Sequence, residues 1–508
     1  MEYDKNIENK ILTENLLPKG EQNNNIDMEL NGSSNVIVNE NYRRSADKDF
    51  DQLHPAVVKL KAAAENGSSV KNRNTEPNNN ERPHPKTTYL ETLMHLFKGN
   101  VGPGCLAMAD AVKNGGLILA PILTLFLGIV CVHVQHILLQ CSKEMQIKYD
   151  LAESPDYAET VELVFASSDN QKCTKYAKTM KAICNAFICI TQLGFCCIYF
   201  LFIGTNLKQV LDFYGLRIPF GLLVAIILIP IWLSSLIRNL KYLAPCSGIA
   251  NVCMITGLVI SYYYSLQDLP PITERNFMPH DIRTLPLFFG TVIFAFEGIA
   301  LVLPLQNAMK KPQNFSKCFG VLNVGMVIVS GIFVSFGTIG YLKYGEDTKA
   351  SLTLNLPTDE ILAQSVKLAI ALGVLLGYAI QFFVAMQIMF PNIRQNFKFS
   401  DRNPIISELI FRTLMVLITF TIAVLIPELD LLLSLIGSVC STVLALVLPP
   451  LMELIITSSC ENNNRSKFVI IKNFIILLIS LLGFLTGGFE ALSAILQKMF
   501  SNEIFETT

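Results

Sequence analysis

From Thr88 onward, apolar residues come in long, nearly uncharged runs separated by short polar connections, without the one-sided stripe of a surface helix or the alternation of a half-buried strand. A helix needs about 20 apolar residues to cross the hydrocarbon core of a bilayer. Spans are predicted at Glu91–Lys113, Leu117–Cys141, Ala182–Val210, Ile218–Ile237, Ala244–Leu266, Leu285–Met309, Phe319–Tyr341, Ile361–Phe390, Ile405–Ile426, Leu429–Ile456 and Phe468–Leu496. The pattern predicts an all-α polytopic membrane protein with about 11 transmembrane helices within residues 86–500. Residues 1–85 are different: rich in Asn, Glu, Lys and Ser, too poor in apolar residues to bury a core, and without the ordered charge, apolar stretch and small residues of a signal peptide. A disordered cytosolic tail is expected there, with a short C-terminal tail over 501–508.

Within the first span the sequence GNVGPG interrupts the helix. Pro103 has no amide hydrogen, and Gly99, Gly102 and Gly104 hold a helix poorly, so several N–H and C=O groups around Asn100, Val101, Gly102, Pro103 and Gly104 lose intrahelical partners. Bare backbone at membrane depth is tolerated only where it is buried in protein or lines a polar cavity. A half-helix starting near Cys105 directs free N–H groups and a partial positive charge at an anion such as a carboxylate. A kink used only for packing is the alternative, common for a single Gly or Pro.

The sixth span repeats the feature. Gly290 and Gly298 flank a short aromatic segment containing Phe294 and Phe296, Pro304 follows, and Glu297 sits near mid-span. Two interrupted helices, one opening each group of five spans, point to an inverted-repeat transporter with its site at the midplane between them, one further helix following the ten. Phe294, Phe296 and Gly298 join the Gly99–Gly104 backbone as candidate substrate-binding residues. Glu297 is the most informative ionisable group, because a mid-span carboxylate is expensive and usually serves a pathway or proton relay; the alternative is a structural acid bonded to loose backbone. His133, well inside the second span, has a side chain whose ordinary pKa of about 6.5 suits proton exchange. His136 lies one turn away on the same face. Asp110 and Lys113 are spaced to pair near the surface. Lys367 and Arg412 fall near span ends, where long basic side chains snorkel.

Composition agrees with the span pattern: 51% of residues are hydrophobic and 16% charged, and a net charge of −1 gives no sign of a nucleic-acid partner. Lys and Arg concentrate in alternate connections, which places the N-terminus in the cytosol. None of the cysteines falls in an outside loop on this topology, so free thiols are expected. Adjacent Cys196 and Cys197 have no accompanying His or carboxylate to form a metal site, and neither metal nor cofactor is expected.

At GNVGPGCLAMADAVKNGG, VHVQHILLQCS, TQLGFCCIYFLFIGTNLKQV, IRNLKYLAPCSGIANV, FFGTVIFAFEGIALVLPLQNAMKKPQNF and TLNLP the chain resembles the proton-coupled amino acid transporters of the amino acid/auxin permease superfamily, and looks closest to insect members. The resemblance implies a LeuT-like fold of 5+5 inverted repeats plus one helix, and symport of protons with small amino acids across a plasma or lysosomal membrane. It places His133 at the family's proton-linked histidine and Glu297 at its sixth-span acid. Where relatives read PLEN and VPAEI, however, this chain carries Gln306 and Gln387, and Ala300 replaces a Gly. Neither Gln can exchange a proton. A small or medium neutral amino acid, protons and the lipid bilayer are the expected partners. A pH-independent facilitative carrier and an amino acid sensor are the alternatives. A membrane-embedded enzyme is disfavoured, since no nucleophile elbow, metal-ligand cluster or phosphate loop accompanies the His and the acid.

Overall fold

A computed structural model describes residues 86–238, 240–396, 404–458 and 463–500. The tails expected over 1–85 and 501–508 lie outside the described residues.

The first span begins with α1 (Tyr89–Asn100), whose start is set by a capping box: the Thr88 hydroxyl accepts from the Glu91 amide, and Glu91 accepts from the Thr88 amide at 2.8 Å. Val101 and Gly102 leave helical geometry, and α2 (Pro103–Gly115) starts on a proline, which is tolerated at the first helical position because the missing N–H would be unpaired there anyway. Gly116 ends α2 with φ of 83°, and a Cβ there would meet the Met278 backbone at 2.5 Å, so only glycine fits. Helix α3 (Leu119–Lys148) follows, then α4 (Tyr157–Ala166) and α5 (Gln171–Phe213).

Two features here depart from the sequence reading. Helix α4 occupies what was read as a loop, and α5 starts before the predicted Ala182, so its 43 residues span about 65 Å, roughly twice the hydrocarbon core. The reason is local: Asp156 and Glu159 form a second capping box, Asn170 caps α5, and Lys181 bonds Glu162 of α4 at 2.8 Å. Once capped, a polar extension of an existing helix adds a hydrogen bond per residue. The apolar face of α4, including Val161, Leu163 and Val164, is fully buried.

The remaining elements are α6 (Phe220–Ser235), α7 (Leu240–Leu266), α8 (Leu285–Ala295), α9 (Ile299–Ala308), α10 (Val321–Tyr344), α11 (Ile361–Asn396), α12 (Pro404–Leu425), α13 (Leu429–Ile436), α14 (Leu448–Ser458) and α15 (Asn463–Phe500). Between α13 and α14 the tenth span continues through two π-helical stretches, Gly437–Ser441 and Val443–Val447. Among the described residues nine helical stretches are long and apolar enough to cross a membrane. The expected eleven include two that fall short of that length: the first span, split into 12 and 13 residues, and α6 with 16.

Two basic residues expected to snorkel are instead buried. The Arg412 guanidinium donates to Glu408 at 2.9 Å and to the carbonyls of Ser235 and Ile237 at 2.8 and 3.2 Å, capping the end of α6 from α12. Glu408 also holds Arg238 at 2.7 Å. Lys367 is fully buried, with its ammonium 3.4 Å from the Leu356 carbonyl. In both cases protein carbonyls take the place of water, which removes the reason to extend toward the interface.

Candidate functional site at the crossing of two interrupted helices

The first and sixth spans meet at their breaks. Added at Gly99, a Cβ would lie 2.7 Å from Leu301; at Gly298, 3.1 Å from the Asn100 Oδ1; and at Gly104, 2.9 Å from the Ala295 Cα. As residue numbers rise along one segment they fall along the other, so the interrupted segments run antiparallel. At Gly104 the obstacle is backbone, so a larger side chain there would force the two spans apart, whereas at Gly99 and Gly298 the nearest atoms belong to the Leu301 and Asn100 side chains. Gly102 is the exception: no atom lies within 4 Å of its Cβ position, so the chain faces open space there.

Backbone polarity is concentrated at this point. Helices α2 and α9 both begin at the breaks, and the first N–H groups of a helix have no intrahelical partner; α1 and α8 both end there with their carbonyls. Some of these groups are satisfied locally. The Gly102 carbonyl accepts from Cys105, the Gly298 carbonyl from Leu301, and Phe294 from Glu297, at 3.0, 3.0 and 3.1 Å. Asn100 turns its amide nitrogen back to the Leu96 carbonyl at 2.9 Å, which leaves its Oδ1 buried against Gly298 with no hydrogen-bond donor.

Glu297 is also buried, and its Oε2 closes no hydrogen bond. It faces Ser441 of the first π-helical stretch, whose hydroxyl is likewise buried without a closed hydrogen bond. Sequence reading missed Ser441. Its signal was present as Ser438, Ser441 and Thr442, a small polar patch in an otherwise apolar span. The π form matters because an extra residue per turn displaces side chains from the ordinary helical face, and such bulges occur often at functional sites. Gly290 and Gly437 bring the sixth and tenth spans into backbone contact next to this point, and Tyr157 of α4 reaches the Leu444 carbonyl at 2.5 Å.

The other candidates divide. Phe294 lies by Gly104 and packs edge-on to Phe195, with ring centres 4.9 Å apart. Phe296 turns the opposite way, toward Gly128 and Phe333, behind the crossing. His133 is exposed on α3, in the field of the Glu453–Lys472 ion pair rather than beside Glu297. His136 bonds Asn323 at 2.7 Å. The pairing expected for Asp110 and Lys113 does not form: Asp110 is buried and accepts from Asn114 at 3.3 Å, while Lys113 reaches the Thr348 carbonyl at 3.0 Å. Helix spacing put the two side chains within reach, but Asp110 took a partner one turn along its own helix and Lys113 one on a different element.

Residues 85–492 match the family model described as transmembrane amino acid transporter protein. The chain belongs to this family. It is an amino acid transporter by that membership and not an enzyme. Among relatives of this transporter, it is 36% identical over 423 residues to the Drosophila melanogaster proton-coupled amino acid transporter-like protein pathetic, covering 83% of this chain and 88% of that one. It is 26% identical over 420 residues to the Caenorhabditis elegans probable amino acid transporter skat-1, covering 81% and 91%. A similar solved structure is that of MhsT in complex with L-phenylalanine, with a TM-score of 0.45 and 16% identity, covering 80% of the transporter and 100% of that chain. Another is an Eremococcus coleocola manganese transporter in complex with an aromatic bis-isothiourea substituted compound, with a TM-score of 0.41 and 12% identity, covering 80% and 94%.

Proposed function

We propose that this transporter carries small or medium neutral amino acids by proton symport, through alternating access around the crossing of its first and sixth spans. The observation that carries the reading is the antiparallel meeting of two broken helices beside a buried carboxyl group with an unpaired oxygen. The first-turn N–H groups of α2 and α9 that lie outside the helical ladder suit a substrate carboxylate, and the terminal carbonyls of α1 and α8 suit an ammonium group. One crossing therefore offers both polarities that a zwitterion needs. The open space at Gly102 gives the carboxylate room to approach, with Gly99, Asn100, Val101, Pro103 and Gly104 framing it. Phe294 supplies an apolar wall, Gly298 brings the sixth span close, and Phe296 supports it from behind. At the crossing the acid is Glu297, and it is assigned here to coupling and not to a cationic side chain.

Glu297 is the coupling group in this reading, with Ser441 as its neighbour. His133 acts at a separate location on α3. Similarity to the Drosophila proton-coupled amino acid transporter-like protein supports proton coupling. The driving force is sufficient: one charge crossing 100 mV is worth about 2.3 kcal/mol and one pH unit about 1.4 kcal/mol, together enough to concentrate a substrate several hundred-fold. The competing reading, a facilitative carrier insensitive to pH, draws on Gln306 and Gln387, where resembling proteins carry acids.

Uptake by proteoliposomes, measured across a neutral, cationic and anionic amino acid panel at acidic and neutral outside pH, separates the two. Symport requires faster uptake with acid outside and inward current with a neutral substrate. A flat pH profile with zero substrate-induced current refutes symport and leaves amino acid transport standing. Lysine or arginine as the best substrate refutes the neutral assignment.

A further inference from the structure

Near the start of the first span, two shallow depressions of about 490 and 520 Å³ share Asn314 and Lys317, and so form one continuous surface. One side is aromatic, lined by Tyr89 and by Phe319, which is 86% exposed. The other is basic, lined by Lys310, Lys311 and Lys317, all exposed. Exposed Lys86 lies next to this basic side, because Thr87 pairs with Met309 in a parallel bridge, with Thr87 N donating to the Ala308 carbonyl at 2.8 Å and Lys310 N to the Thr87 carbonyl at 2.9 Å.

The lysines have little local compensation. Among the described residues, Lys310, Lys311 and Lys317 form no salt bridge and donate no side-chain hydrogen bond. Glu91 lies near Lys310, but its carboxylate is committed to the Thr88 amide at 2.8 Å. An aromatic surface adjoining a cluster of uncompensated ammonium groups, at the end of membrane-spanning helices, matches a molecule with a phosphate head and apolar chains. Such clusters beside a span attract anionic headgroups, each Lys contributing to the attraction. Aromatic side chains favour the same interfacial depth.

We infer that Lys86, Lys310, Lys311 and Lys317, with Tyr89 and Phe319, form a binding site for an anionic phospholipid of the leaflet facing the start of the first span. The bound lipid braces the bridge between Thr87 and Met309, which fastens the start of the first interrupted span to the end of the sixth. Its occupancy therefore stabilises the folded protein, and the measurement needs no transport activity, so it stands apart from the symport reading.

The test is thermal unfolding of the full chain in detergent, followed by a thiol-reactive dye, during titration with short-chain phosphatidylinositol phosphate, short-chain phosphatidylcholine or inorganic phosphate. The anionic lipid raises the melting temperature and phosphatidylcholine does not. In the K310Q/K311Q/K317Q variant, whose exposed side chains leave the fold intact by gel filtration, the half-saturating lipid concentration rises roughly tenfold or more. Phe319→Ser weakens the lipid response as well, through the aromatic side. Equal stabilisation by phosphatidylcholine, an unchanged lipid titration in the triple variant, or a full response to inorganic phosphate alone overturns the proposal.

Discussion

Two glycines two residues apart in the first break should respond in opposite ways to the same added methyl group. At Gly104 the new Cβ lies 2.9 Å from the Ala295 Cα and 3.2 Å from its Cβ. Carbon atoms pack best at about 3.5–4.0 Å, so the two spans must separate by roughly half an ångström to one ångström. The obstacle is backbone and cannot rotate aside. Overpacking of this kind costs about 1–3 kcal/mol, and the upper part of that range applies here. At Gly102 the methyl meets nothing within 4 Å and φ is negative, at −147°, so stability should stay within about 1 kcal/mol of wild type. The same methyl occupies the space proposed for the substrate carboxylate. Discrimination by a single methylene in a pocket is worth about 10–200-fold. Gly102→Ala should therefore raise KM by about tenfold or more with an unchanged melting temperature, whereas Gly104→Ala should lower the melting temperature itself. Gly102→Leu should abolish uptake while membrane expression persists. Thermal unfolding in detergent and initial uptake rates in proteoliposomes report both quantities for each variant. Wild-type KM in Gly102→Ala would remove the carboxylate site from this break, and wild-type stability in Gly104→Ala would refute the close crossing.

Glu297→Gln keeps the shape of the side chain and removes its proton exchange, so acid-stimulated accumulation should disappear while any substrate exchange that persists becomes insensitive to pH; unchanged acid stimulation would exclude Glu297 as the coupling group. His133→Ala should weaken acid stimulation without altering neutral-pH KM, since His133 lies apart from the crossing, and an unchanged pH profile would remove it from the proton path. Arg412→Met leaves the carbonyls of Ser235 and Ile237 without their donor; the loss should be on the order of 3 kcal/mol, at the low end for a broken buried pair because Glu408 retains Arg238, and should appear as reduced thermal stability with normal KM. Equal stability of the Arg412 variant would mean that the α6 end is satisfied in another way.

The spans, the break at GNVGPG and the isolated acid in the sixth span were legible in the sequence because their causes are local. A helix in hydrocarbon satisfies its own backbone, so a run of apolar residues identifies it, and Pro103 with its neighbouring glycines breaks it wherever it packs. The buried helix α4 was not legible: at 10 residues it is too short to read as a span, and its apolar positions count only because α5 and the tenth span cover them. Contacts at the site depended on tertiary structure for the same reason. Periodicity assigns a side chain to a face of its own helix, but the pairing of Asn100 with Gly298, or of Glu297 with Ser441, joins residues far apart in sequence. Those pairings follow from how closely two backbones approach at Gly104 and Gly290, and from a π-helical register in the tenth span. Arg412 and Lys367 show the same division: the sequence placed a charge near a span end, and only the packed structure supplied the neighbouring carbonyls that hold it inside the protein instead of leaving it to water.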